Sequence, residues 1–179
     1  FQRFDLTPNP ASATPFFQQI LAAHEAMYDR RRPLIAADHD HALDTWRWVL
    51  RLEPHASVSL QLAALFHDVE RLSSETDARL ENAARDYASF KRSHAEESGR
   101  IVGRLLDSLS TPHPLIERTQ ALVARHELPA DGEPVEPAAA LLANADALSF
   151  FSLGAPGFAL LMRFALLRRL AARLVAAAA

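Results

Sequence analysis

The sequence predicts an all-α protein, a single-domain orthogonal bundle of about seven helices. Two observations carry this. Alanine, leucine, arginine and glutamate dominate the chain, whereas β-branched residues are sparse and no segment alternates cleanly between apolar and polar. The apolar residues instead recur at spacings of three and four between breaks marked by proline, glycine or short polar runs, and they never settle into heptads.

In order, the first helix is expected from about Pro15 to Arg32, with Thr14 as N-cap and a proline at the first helical position. A loop at Pro33–Asp38 then leads to a second helix, His41 to Leu52, capped by Asp40. Pro54 separates it from a third, Ala56 to Leu72, and Ser73–Thr76 is a polar break. A fourth helical region covers Asp77 to Ser108, and a fifth runs from Pro112 to near Glu127. The proline-rich, acidic stretch Leu128–Pro137 reads as a loop. A sixth helix carries Ala138 to Phe151, and glycines and a proline at 154–157 precede a final amphipathic helix, 157–176. The whole chain, 1–179, is read as one domain. Its core spans about 38–152, with the helices 15–32 and 157–176 packing on it.

Composition narrows the chemistry. With 49% apolar and 23% charged residues, the chain has the make-up of a water-soluble globular domain, and a cytoplasmic location is expected. A formal net charge of −3 provides no strong field to recruit nucleic acid or an anionic membrane. The opening FQRFDLTPNP has neither the basic nor the apolar region of a signal peptide. The longest apolar stretch, Gly154 to Ala179, is broken by Arg163, Arg168, Arg169 and Arg173, so no membrane span is expected. There is no cysteine, which excludes disulfides and thiolate ligands; a metal here must be held by imidazole and carboxylate.

The informative segment is LAALFHDVERL. Leu62, Leu65, Phe66, Val69 and Leu72 recur at helical spacing, so His67 and Asp68 interrupt a buried helix. Two such groups left unpaired would cost roughly 2–7 kcal/mol each. A second His-Asp pair, His39-Asp40, lies in the polar run DHDHALD, where capping and solvation account for it. Other helices repeat the anomaly. His41 opens a helix whose core side is marked by Leu43, Trp46 and Leu50. His94 shares a face with Ser98, Ile101 and Leu105. His126 follows Leu122 by four, and Asp146 lies four after Leu142 and four before Phe150. One common centre satisfies all six polar groups together, and metal coordination is the usual physical reason for such convergence. The other histidines, His24, His39, His55 and His113, read as surface residues; His39 would point about 200° from His41 on a helix.

The order His41, His67-Asp68, His94, His126, Asp146 resembles the HD superfamily of metal-dependent phosphohydrolases, in particular the subset whose two extra histidines give a dinuclear centre. That resemblance implies a first metal held by His41, His67, Asp68 and Asp146. It implies a second held by His94 and His126, with Asp68 bridging. One or two divalent ions are implied, iron, manganese or zinc being suited to these donors. The implied substrate is a small phosphorylated compound, nucleotide-like or not. Arg71, Lys91, Arg92 and Arg125, each within four residues of a ligand, are its candidate binders, and Lys91 is the chain's only lysine. Asp68 and Glu70 are the candidate catalytic carboxylates, Glu70 for proton transfer or for support of a ligand. The spacing is similar to that of HD enzymes that hydrolyse diadenosine tetraphosphate and, more distantly, of cyclic-dinucleotide phosphodiesterases, although the glycine-containing signatures of those families are absent. The di-iron oxygenases of the superfamily share the ligand order. Tyr28 stands before His41 as a tyrosine does in the phosphonate enzymes, but arginines follow it where those have a glutamate. A non-catalytic metal-binding module is the third reading, and a homo-oligomer is compatible with all three.

Overall fold

The computed structural model describes residues 9–74, 78, 85–127 and 135–153. These are helical throughout, with no strand among the described residues. Six helices are delimited: α1 (Pro15–Ala26), α2 (Pro33–Leu52), α3 (Val58–Phe66), α4 (Arg71–Ser74), α5 (Tyr87–Ser108) and α6 (His113–Val123). A further helical stretch covers 137–153. The loop expected at 128–137 lies mostly outside the described residues, and so does the expected helix 157–176. No described helix is long and apolar enough to cross a membrane.

α1 starts as expected: the Thr14 hydroxyl accepts a hydrogen bond from the Phe17 amide at 3.2 Å, and Pro15 follows the cap. It ends at Ala26, short of Arg32, and the chain turns through Asp29, whose carbonyl accepts from Arg32 N. α2 is the main correction. It begins at Pro33, and the expected loop Pro33–Asp38 is helical, so Asp40 is an exposed mid-helix residue and no cap. Proline presets the first turn, and Ile35, Asp38, His39, Ala42, Thr45 and Val49 form one continuous buried face. Part of that face is Asp38 and His39, so a search for apolar spacing reads the segment as solvated.

α3 lies at the centre, packed against both α2 and α6. Leu62, Leu65 and Phe66 are fully buried there, each contributing roughly 1.5–3 kcal/mol by leaving water. The helix stops at Phe66, not Leu72. His67 is its C-cap, and the next amides fold back over three residues, Val69 N to Phe66 O and Arg71 N to Asp68 O. Glu70 N is given instead to the Ser98 hydroxyl of α5 at 3.2 Å. The His-Asp pair therefore stands on a turn at the end of a buried helix.

α5 begins at Tyr87, where the Asp86 carboxylate accepts from Ser89 N. Gly99 and Gly103 let it approach α6: a Cβ on Gly99 would meet the Gln120 carbonyl at 3.2 Å, and one on Gly103 would overlap the Gln120 amide. Gln120 uses the space to donate to Gly99 O at 3.2 Å. This contact ties together the helices that lead to His94 and His126.

His55 and His113 are exposed, as expected; His24 and His39 are not. Phe17, Ile20 and His24 share one face of α1 and all are buried. The His24 ring packs against Tyr28, His39 and Phe66, with centroids 4.8, 6.0 and 5.0 Å away. Neither of its nitrogens has a hydrogen-bond partner of normal geometry among the described residues. Burial, then the neighbouring His39, push its pKa down to about 4.

Candidate metal centre

All six expected ligands meet. His41 from α2, His67 from the end of α3 and Asp146 from the 137–153 helix form one group. His41 Nε2 lies 3.2 Å from His67 Nε2 and 3.0 Å from Asp146 Oδ1, and His67 Nε2 lies 3.5 Å from that oxygen. Donor atoms about 2.1 Å from one ion stand roughly 3.0–3.4 Å apart in octahedral or tetrahedral arrangement, so this group already has the spacing of an ion's coordination sphere. Asp68, His94 and His126 form a second group. Asp68 Oδ1 lies 2.8 Å from His94 Nε2 and 3.7 Å from His126 Nε2. Its other oxygen faces the first group, 3.9 Å from His41 Nε2 and 3.8 Å from His67 Nε2. Asp68 therefore stands between the two.

The far side of each imidazole explains why the near sides face inward. His67 Nδ1 donates to Ala64 O at 2.9 Å and His126 Nδ1 to Val123 O at 2.7 Å. His94 Nδ1 donates to the Glu70 carboxylate at 2.8 Å. The Ser149 hydroxyl accepts from His41 Nδ1 at 3.0 Å and sends its own proton to His41 O at 3.2 Å. With all four Nδ1 atoms donating on the far side, Nε2 is the nitrogen that each ring turns toward the centre, the one a metal would take once its proton is displaced. The Nε2 atoms of His41 and His67, 3.2 Å apart, need a positive charge between them, a proton or a metal ion. The donor set thus fits a divalent cation.

Without a metal, protons take that place in the electrostatics of the centre. Burial opposes charge on His67, yet Asp68 and Asp146 prevail and raise its pKa to about 9. Burial and then the charge on His67 push His126 down. His94 is raised because its bonds to Asp68 and Glu70 outweigh its burial. Burial also works against the carboxylate form of Asp68 and Asp146. The neighbouring His67, Arg71 and His94 nevertheless hold Asp68 well below the ordinary range, and hydrogen bonds from His41 and His67 do the same for Asp146.

Around these six, Arg71 Nε pairs with Asp68 Oδ2 at 3.0 Å, and Lys91 pairs with Glu127. Arg92 and Arg125 are exposed and stand outside this network. Tyr28 is buried beside His24 and His39, in the field of Asp68. Two residues of the site escaped the sequence reading. Ser149 is fully buried and lies three after Asp146, so helical spacing from that ligand would have found it. Glu127 follows His126 directly and had no periodic signal, because α6 ends at Val123 and the chain turns there. Ser149→Ala is expected to leave the fold intact and weaken metal binding about 10-fold, the lower end for loss of a ligand's outer partner; a chelator competition titration measures it.

Residues 17–162 match the family described as a domain of unknown function, DUF4202. No curated protein and no solved structure matches the chain. The matched span covers most of the sequence and all six inward-facing side chains, and the chain belongs to the DUF4202 family.

Proposed function

We propose that this protein is a metal-dependent phosphohydrolase of the HD type, acting on a small phosphorylated compound, with two divalent ions of iron, manganese or zinc. The observation that carries the reading is Asp68, which presents one oxygen to each of two groups of imidazole and carboxylate donors. Divalent ions bound there would supply Lewis acidity toward a phosphoryl oxygen and bring the pKa of water toward neutrality.

Charge favours an anionic substrate. Two divalent ions outweigh the carboxylates of Asp68 and Asp146 by two positive charges. Glu70 and Glu127 balance Arg71 and Lys91, so the excess remains to attract phosphate. Arg71 holds Asp68 in place, and Glu70 holds the His94 ring, which makes Glu70 a positioning residue rather than a free base. Lys91, partly exposed and paired with Glu127 beside His126, is the candidate cation to meet a phosphate from the solvent side.

The test is a panel of phosphomonoesters, phosphodiesters and nucleotides incubated with the protein loaded with manganese or iron. Phosphate release that chelator abolishes and Asp68→Ala removes is the expected result. No turnover on any compound, or turnover only with consumption of oxygen, would overturn the reading.

A further inference from the structure

If Asp68 bridges, the first group has four protein donors, His41, His67, Asp146 and Asp68 Oδ2, whereas the second has three, Asp68 Oδ1, His94 and His126. We propose that Glu127 is the fourth ligand of the second group, held in reserve by Lys91. The inference rests on the metal reading above.

The Glu127 carboxylate is split between two partners. One oxygen pairs with Lys91 Nζ, and Oε1 lies 3.8 Å from His126 Nε2. Asp68 Oδ1 stands at 3.7 Å from that same nitrogen, so the two carboxylates approach it equally closely. His126 Nδ1 is committed to Val123 O, which leaves Nε2 as the only ring atom with a lone pair to share, and Glu127 faces it. The placement is local in origin. After α6 ends, the amides of Arg125 and His126 bond back to Leu122 O and Val123 O, a tight turn that sets consecutive residues 126 and 127 toward one point. On a continuing helix they would diverge by about 100°. The Glu127 side chain is 18% exposed, close to the 13% of Asp68, whereas Lys91 is 36% exposed. The lysine thus holds the carboxylate from the solvent side.

A cation entering the second group competes with Lys91 for this carboxylate. Drawing Glu127 inward completes a four-donor shell of two imidazoles and two carboxylates and releases Lys91 at the rim. Metal loading would then expose the very cation that a phosphate would use.

Calorimetric titration of the chelator-treated full chain with Mn²⁺ tests this. Wild type should take up two ions. Glu127→Gln should bind the first as wild type does and the second about 10-fold or more weakly. Lys91→Met should bind the second at least as tightly as wild type, because it removes the competitor. Equal weakening by both variants would identify a merely structural ion pair and overturn the proposal, and so would wild-type behaviour of Glu127→Gln. Uptake of no ion by wild type would remove the metal reading as well, which separates failure of that reading from failure of this one.

Discussion

His67→Ala should remove the thermal stabilisation that an ion in the first group confers on this protein. His67 is fully buried, and its Nε2 lies within 3.5 Å of both other donors of the first group, so no neighbour or water can take its place. Metal at about 100 times its dissociation constant stabilises the native state by roughly 2.7 kcal/mol, or about 5–10 °C in a chain of this size. Wild type should show that rise from the first ion on addition of Mn²⁺, and the variant should show only what the second group supplies. The metal-free variant should also be less stable by roughly 3–5 kcal/mol, because Asp68 and Asp146 lose a buried partner. His67→Gln keeps most of the volume and should separate the two effects, losing the metal response at smaller cost to the fold. Equal rises in melting temperature for wild type and His67→Ala would show that no ion uses this nitrogen.

The second large effect is acid sensitivity through His24. Its folded pKa of about 4 lies below the ordinary 6.5, so the unfolded chain binds the proton more readily than the folded one. Stability is therefore intact above pH 6.5 and falls as pH drops from 6.5 to 4, by on the order of 3 kcal/mol. His126, also lowered, acts in the same sense. His67 acts in a different window: its raised pKa gives stability that is full below pH 6.5 and is lost as pH rises through about 9. The carboxylates of Asp68 and Asp146, held low, lose theirs only below about pH 4. Urea unfolding of metal-free wild type and His24→Leu, at pH 7 and pH 4.5, isolates the His24 share. The variant should match or exceed wild type at pH 7, since it removes a buried imidazole that has no hydrogen bond of normal geometry among the described residues, and should lose much less on acidification. Parallel losses in the two proteins would mean that His24 is not the group responsible.

Individual residues show, in physical terms, what the sequence made legible and what it hid. His41, His67, Asp68, His94, His126 and Asp146 were legible because each is a polar residue at helical spacing from apolar ones, which is costly unless something meets it. His24 carried the same mark, four residues after Ile20 and seven after Phe17 on one face, and was passed over because its surroundings, with Glu25 beside it, read as polar. The start of α2 was not legible at all. Its buried face includes Asp38 and His39, and hydrophobic spacing cannot report a face that is not hydrophobic.

Local spacing along the chain determined that the protein is helical and marked the six polar side chains that turn inward to one centre, though not the buried His24, Asp38 and His39. It could not say which ring nitrogen each histidine presents, nor which partner holds it. The tertiary structure decided both. His41 takes its orientation from Ser149, 108 residues away, and His94 takes its own from Glu70, on the turn between α3 and α4. An imidazole's tautomer follows the partner on its far side, and that partner arrives only when distant helices pack.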